Sequence, residues 1–75
     1  MTRKDAIGLV EIELIKATKS FGPMASTHEG IAVIREEYLE LEEEVFHGTP
    51  QGQRDEAVQL AAMAVRFLVD TDPIP

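Results

Sequence analysis

Residues 60–69 read LAAMAVRFLV, and Arg66 is the only polar side chain among them. A helix that is apolar on nearly every side is buried on more than one side. The chain has 75 residues, enough for one domain with a small hydrophobic core. Its other segments are too few to cover this helix completely. We therefore expect a homodimer or a homotetramer, the alternative being a monomer that exposes an alanine-rich face.

Two more helices are predicted before this one. In residues 5–19 the apolar side chains recur at helical spacing, and Gly22-Pro23 ends the pattern. Ser26 and Glu29 have the spacing of a capping box, which opens a second helix that reaches about residue 46. After turn-forming residues 47–52, the third helix covers about 53–70. The apolar stripes are Ile7, Val10, Leu14 and Ala17 in the first helix and Ile31, Ile34, Tyr38, Leu41 and Val45 in the second.

These patterns predict one all-α domain over residues 1–75, with three helices that assemble into an oligomeric helical bundle. The composition narrows the function further. Without cysteine there is no disulfide scaffold, no thiolate nucleophile and no Cys-ligated metal site. Fourteen acidic residues against seven basic ones argue against nucleic acid as a partner. No apolar run is long enough to span a membrane, and Glu11 and Glu13 interrupt what would be a signal peptide, so we expect a cytoplasmic protein.

Glutamate is concentrated in residues 36–44, where it takes six of nine positions. On a helix, Glu37, Glu40 and Glu44 fall within about 60° of one another, beside the apolar stripe. Glutamates three and four residues apart repel each other. A divalent cation bound by their carboxylates would offset this repulsion. Glu56, in the first turn of the third helix, adds a carboxylate from a second element. The alternative is a solvated acidic face, with Glu56 as a favourable helix-start residue.

Four runs along the chain are informative as a set: FGP at 21–23, HEG at 28–30, EEYLEL at 36–41 and DEAVQLAAMAVRF at 55–67. Together they resemble the MazG-like branch of the all-alpha NTP pyrophosphatase superfamily over about residues 10–70. That family carries Glu-x-x-Glu on one helix and Glu-x-x-Asp on the next. The matching positions here are Glu37-x-x-Glu40 and Glu56-x-x-Gln59, and 15 residues separate Glu40 from Glu56.

The resemblance implies an oligomeric helical bundle that hydrolyses a nucleoside triphosphate to the monophosphate and pyrophosphate with Mg²⁺ or Mn²⁺. It assigns Glu37, Glu40 and Glu56 as metal ligands and gives Glu37 and Glu40 a catalytic role, since a carboxylate can also orient the attacking water. Glu44, one turn beyond Glu40, is a further candidate ligand. Gln59 stands where the family has aspartate and offers only a neutral carbonyl oxygen to a metal.

A polyanionic substrate also needs cations. Lys16 and Lys19, at the end of the first helix, are candidates for contacting its phosphates, across a dimer interface or within one chain. The alternative is that these lysines only complement the helix dipole. At the level of function, the alternative is a non-catalytic helical module of the same fold that binds a nucleotide or a protein. A third reading is a structural dimer whose acidic helix is merely solvated.

Overall fold

A computed structural model describes residues 1–74, and the prediction of an all-α chain with three helices is confirmed. The helices are α1 (Arg3–Ser20), α2 (Thr27–His47) and α3 (Pro50–Thr71). Two of the three starts follow from capping side chains that the sequence shows. Thr2 Oγ1 accepts the Asp5 N–H at 3.1 Å, and Ser26 Oγ accepts the Glu29 N–H at 3.1 Å.

The start of α3 corrects the predicted boundary at residue 53. Thr49 is the N-cap, and its Oγ1 accepts the Gly52 N–H at 3.0 Å. Pro50 occupies the first helical position, where its missing N–H has no helical partner to lose. Only Gly48 and Thr49 therefore connect α2 to α3, and so short a connection makes the two helices antiparallel neighbours.

The central helix is α3, which packs against both other helices, while the backbones of α1 and α2 do not approach each other. Contacts near both ends show that α2 is antiparallel to α3, since Gly30 meets Phe67 and Glu44 meets Gly52. By contrast, α1 runs parallel to α3. Its first half lines a groove with the first half of α3, and its second half lines another groove with the second half of α3.

A small core lies toward the carboxyl end of α3. Its buried members are Ala17, Met24, Ala62 and Met63, surrounded by half-buried apolar side chains from all three helices. The α1–α2 loop is tied to this end of α3 by hydrogen bonds. Arg66 Nη2 donates to the Gly22 carbonyl at 2.7 Å, and Asp70 Oδ2 accepts the Met24 N–H at 2.9 Å. These bonds give Arg66 a structural role.

The buried face of α2 differs from the predicted apolar stripe. Ile34 and Leu41 are half-buried, but the other members of the predicted stripe, Ile31, Tyr38 and Val45, are exposed. The covered face is rotated by about 70° around the helix axis. Its members are Gly30, Val33, Ile34, Glu37, Leu41 and Glu44.

Gly30 lies on the rotated face and allows α2 to approach α3 closely. A Cβ at this position would lie 2.5 Å from Phe67 Cδ2 and 3.3 Å from Met24 Sδ. The residues two and four turns further along the same face, Glu37 and Glu44, are consequently pressed toward α3 as well.

Large apolar side chains remain uncovered on all three helices. On α3, Leu68 and Val69 are 64% and 74% exposed, and Val65 is exposed as well. In α1, Val10, Leu14 and Ala17 face inward as predicted, whereas Ile7 is exposed. The accessible surface is 5599 Å², and a compact monomer of 8.3 kDa would expose about 4,600 Å². No helix within residues 1–74 has the length and hydrophobicity needed to cross a bilayer.

The close approach at Gly30 can be tested with Gly30→Ala. The added methyl group must displace the Phe67 ring, and overpacking of this kind costs about 1–3 kcal/mol, which exceeds the gain in helix propensity of about 1 kcal/mol. We expect a lower free energy of unfolding in urea. Gly8→Ala is the matched control, because a Cβ on Gly8 would have no neighbour within 4 Å. That variant should be more stable than the wild type by about 0.5–1 kcal/mol. Equal stabilisation by both substitutions would contradict the packing described here.

Candidate metal centre

Three carboxylates converge where the middle of α2 faces the first half of α3. Glu37 and Glu40 come from successive turns of α2, and Glu56 comes from α3. Each can offer one carboxylate oxygen such that all three oxygens lie within 4.8 Å of one another. We call Glu37, Glu40 and Glu56 the acidic triad. The structure thus brings together the three residues that the sequence analysis assigned as metal ligands.

The acidic triad is only partly open to solvent. Glu40 is exposed, whereas Glu37 and Glu56 are half-buried. The Oε2 atoms of Glu37 and Glu56 are both buried and have no hydrogen-bond partner. Unpartnered buried oxygen atoms are costly, because they have given up water without gaining a replacement. Among the described residues the only ion pair joins Arg66 and Asp70, so no cationic side chain of this chain is paired with the triad.

Burial and mutual repulsion shift the proton affinity of the triad. Burial, followed by repulsion from Glu40, raises the pKa of Glu37 from 4.5 to about 7. Burial also raises the pKa of Glu56, again with a contribution from Glu40. Near neutral pH the triad therefore carries a proton or needs another positive charge. A hard divalent cation such as Mg²⁺ or Mn²⁺ fits this donor set, which supplies three carboxylates and two oxygens without a partner.

Glu44, the fourth predicted carboxylate, lies outside the acidic triad. Its Oε2 accepts the Thr49 N–H at 3.1 Å, at the start of α3. The carboxylate fills space that a Cβ on Gly48 or on Gly52 would occupy. This contact was not predicted, although two glycines on either side of a threonine N-cap are a signal in the sequence for a side chain packed against the turn.

The remaining predicted site residues lie elsewhere. Gln59 is half-buried on α3, one turn beyond Glu56, and its role as a ligand stays a prediction. Lys16 and Lys19 are exposed on α1, whose backbone does not approach α2. Lys19 and the exposed Phe21 line a groove of about 570 Å³ between the second halves of α1 and α3. This groove lies near the end of α3 opposite to Glu56.

Comparison of the chain with models of protein families, with curated protein sequences and with solved structures gives no match.

The raised pKa of Glu37 predicts how the stability of the metal-free protein depends on pH. The folded chain binds this proton more tightly than the unfolded chain. The resulting stabilisation is fully present below pH 4.5 and is lost as the pH rises through about 7. In the presence of EDTA, we expect the melting temperature to fall between pH 5 and pH 8, because Glu37 loses its proton over this pH range.

Glu37→Gln isolates this contribution, because the amide is neutral at every pH and nearly the same size. The difference in melting temperature between variant and wild type should widen in favour of the variant as the pH rises. A difference that stays constant over this range would show that Glu37 is not held in a proton-binding cluster.

Proposed function

We propose that this chain is a metal-dependent nucleoside triphosphate pyrophosphohydrolase of the MazG-like kind, which releases the nucleoside monophosphate and pyrophosphate. The observation that carries the proposal is the convergence of Glu37, Glu40 and Glu56, two of them with buried oxygens that have no partner. The resemblance of residues 10–70 to that family supplies the reaction class. Because the proposed substrate is a nucleoside triphosphate, we expect the protein to lie in the cytoplasm.

Each member of the acidic triad has a distinct part in this proposal. Glu37 and Glu56 would hold the metal from the half-buried side, where water competes least for their oxygens. Glu40, at the exposed edge, would complete the ligand set and would orient a water molecule for attack on a phosphorus atom. A bound Mg²⁺ or Mn²⁺ would neutralise charge on the phosphate oxygens. Gln59 is the neutral neighbour that could add a carbonyl oxygen.

The same proposal includes a homodimer or homotetramer. The accessible surface of the chain exceeds that of a compact monomer of its mass by about 1,000 Å². A standard protein interface buries about 800 Å² on each partner, so a second copy would account for the excess. Lys16 and Lys19 would then reach the substrate phosphates from a neighbouring copy, because in their own chain α1 does not approach α2.

Gln59 also favours a second candidate function. A neutral side chain in place of the aspartate of the family lowers the charge available to a metal, which would suit a helical module that binds a nucleotide without hydrolysing it. Both functions use the acidic triad, so turnover is what separates them.

A hydrolysis screen tests the proposed reaction. Purified protein is mixed with each ribonucleoside and deoxyribonucleoside triphosphate and with Mg²⁺ or Mn²⁺, and the products are resolved by ion-exchange chromatography. We expect monophosphate and pyrophosphate from the wild type and none from Glu40→Gln. Glu43→Gln is the matched control, since Glu43 is an exposed glutamate of α2 outside the triad and its loss should leave the rate unchanged. Diphosphate and phosphate as products would contradict the proposal, and metal binding without turnover would favour the binding module.

Sedimentation velocity at micromolar concentration tests the oligomer. We expect the mass of a dimer or a larger assembly for the wild type, and a shift toward the monomer for Val69→Glu. This substitution replaces an apolar side chain that is 74% exposed in one chain by a charged one. In an interface that charge would be buried without a partner, which is strongly unfavourable. A wild type that sediments as a monomer would refute the assembly and leave the triad unaffected.

A further inference from the structure

We propose that Glu44 is a positioning residue for the acidic triad and not one of its metal ligands. Through its contact with the start of α3, it sets the register in which Glu56 faces Glu37. The inference rests on the proposed function, because it concerns how the same metal site is held in place.

The geometry of the α2–α3 turn gives the first argument. The Glu44 carboxylate accepts the Thr49 N–H at 3.1 Å, and the Glu44 carbonyl accepts the Gly48 N–H at 3.0 Å and the Gln53 Nε2–H at 3.4 Å. Side chain and backbone of Glu44 thus bind both residues of the connection, Gly48 and Thr49, and the Gln53 side chain in the first turn of α3. We call the bond from Thr49 N–H to the Glu44 carboxylate the turn contact.

Equal spacing along the two helices gives the second argument. Glu37 lies seven residues before Glu44, and Glu56 lies seven residues after Thr49. At 1.5 Å per residue, each is about 10 Å along its helix from the turn contact. In an antiparallel pair, residues equally distant from the turn come to lie opposite each other. A shift of the turn by one residue would move Glu56 along the helix by about 1.5 Å and around it by about 100°.

The missing side chains of two glycines give the third argument. A Cβ on Gly52 or on Gly48 would overlap the Glu44 carboxylate, so the pocket for this carboxylate exists only because both positions are glycine. The carboxylate is therefore held at the turn by packing as well as by a hydrogen bond. Oε2 of Glu44 is therefore bound at the turn, and Glu44 is not among the carboxylates whose oxygens converge in the triad.

The test separates a positioning role from a ligand role. Gly52→Ala keeps the Glu44 carboxylate but displaces it sterically from the turn. Glu44→Ala removes the carboxylate. Mn²⁺ binding to each protein is measured by electron paramagnetic resonance of the free ion, with Gly8→Ala as the matched control. We expect both Gly52→Ala and Glu44→Ala to weaken Mn²⁺ binding about tenfold or more, as the loss of supporting residues around a metal does. The double variant should be no weaker than either single one, because both remove the same contact. Gly8→Ala should bind like the wild type.

A ligand role predicts different results. If Glu44 were a ligand, evicting it by Gly52→Ala would leave Mn²⁺ binding unchanged or tighter, and that outcome would overturn the inference. Loss of the helical circular dichroism signal would show that Gly52→Ala does not fold. In that case Glu44→Gln distinguishes the positioning role from the ligand role. Its amide oxygen still accepts the Thr49 N–H, so a positioning role predicts affinity closer to the wild type than to Glu44→Ala, whereas a ligand role predicts the loss seen with alanine. A wild type that binds no Mn²⁺ would overturn the proposed function together with this inference.

Discussion

The close packing of α2 against α3 is the constraint on which the rest of the structure depends. Gly30 at one end and the Gly48–Thr49 connection at the other bring the two helices together along a line that also contains Glu37. Like charges three and four residues apart would normally separate into solvent. Here the helix cannot turn Glu37 outward without pulling Gly30 from Phe67. Packing at the ends of the pair therefore holds carboxylates close together in its middle.

The acidic triad and the core occupy different halves of α3, and this division has an energetic consequence. Buried apolar side chains lie near Met63, while Glu56 lies nearly two turns toward the start of the helix. None of the buried core side chains lies in the half of α3 that contains Glu56. Repulsion between the carboxylates destabilises this half unless their charge is neutralised, by a proton at low pH or, in our proposal, by a metal ion near neutral pH. The turn contact of Glu44 counteracts the tendency of the two helices to part there.

How much of this could be predicted from the sequence differs from feature to feature. The three helices and the caps at Thr2 and Ser26 were predictable, because both depend on local spacing. The rotation of α2 was not, since apolar periodicity assumes that glutamate faces solvent and treats Gly30 as neutral. The start of α3 was misjudged because Thr49-Pro50 is typical of a turn and equally of an N-cap followed by the first helical residue. The convergence of Glu37, Glu40 and Glu56 was predictable from helical spacing together with the family resemblance.

The structure shows which of the apolar sides of α3 are covered by other helices. One side faces α1 and another faces α2, yet Leu68 and Val69 stay largely exposed, and Val69 lines the open groove between α1 and α3. Periodicity shows how many sides of a helix are apolar, but it does not show how many neighbours the same chain provides. The acidic triad likewise lacks a partner within one copy, since no basic side chain of the described chain is paired with its carboxylates. In our proposal, burial of the apolar surface and delivery of Lys16 and Lys19 to the substrate phosphates are separate requirements, and one copy of the chain meets neither. A second copy would meet both, so in our proposal assembly and activity depend on the same contact.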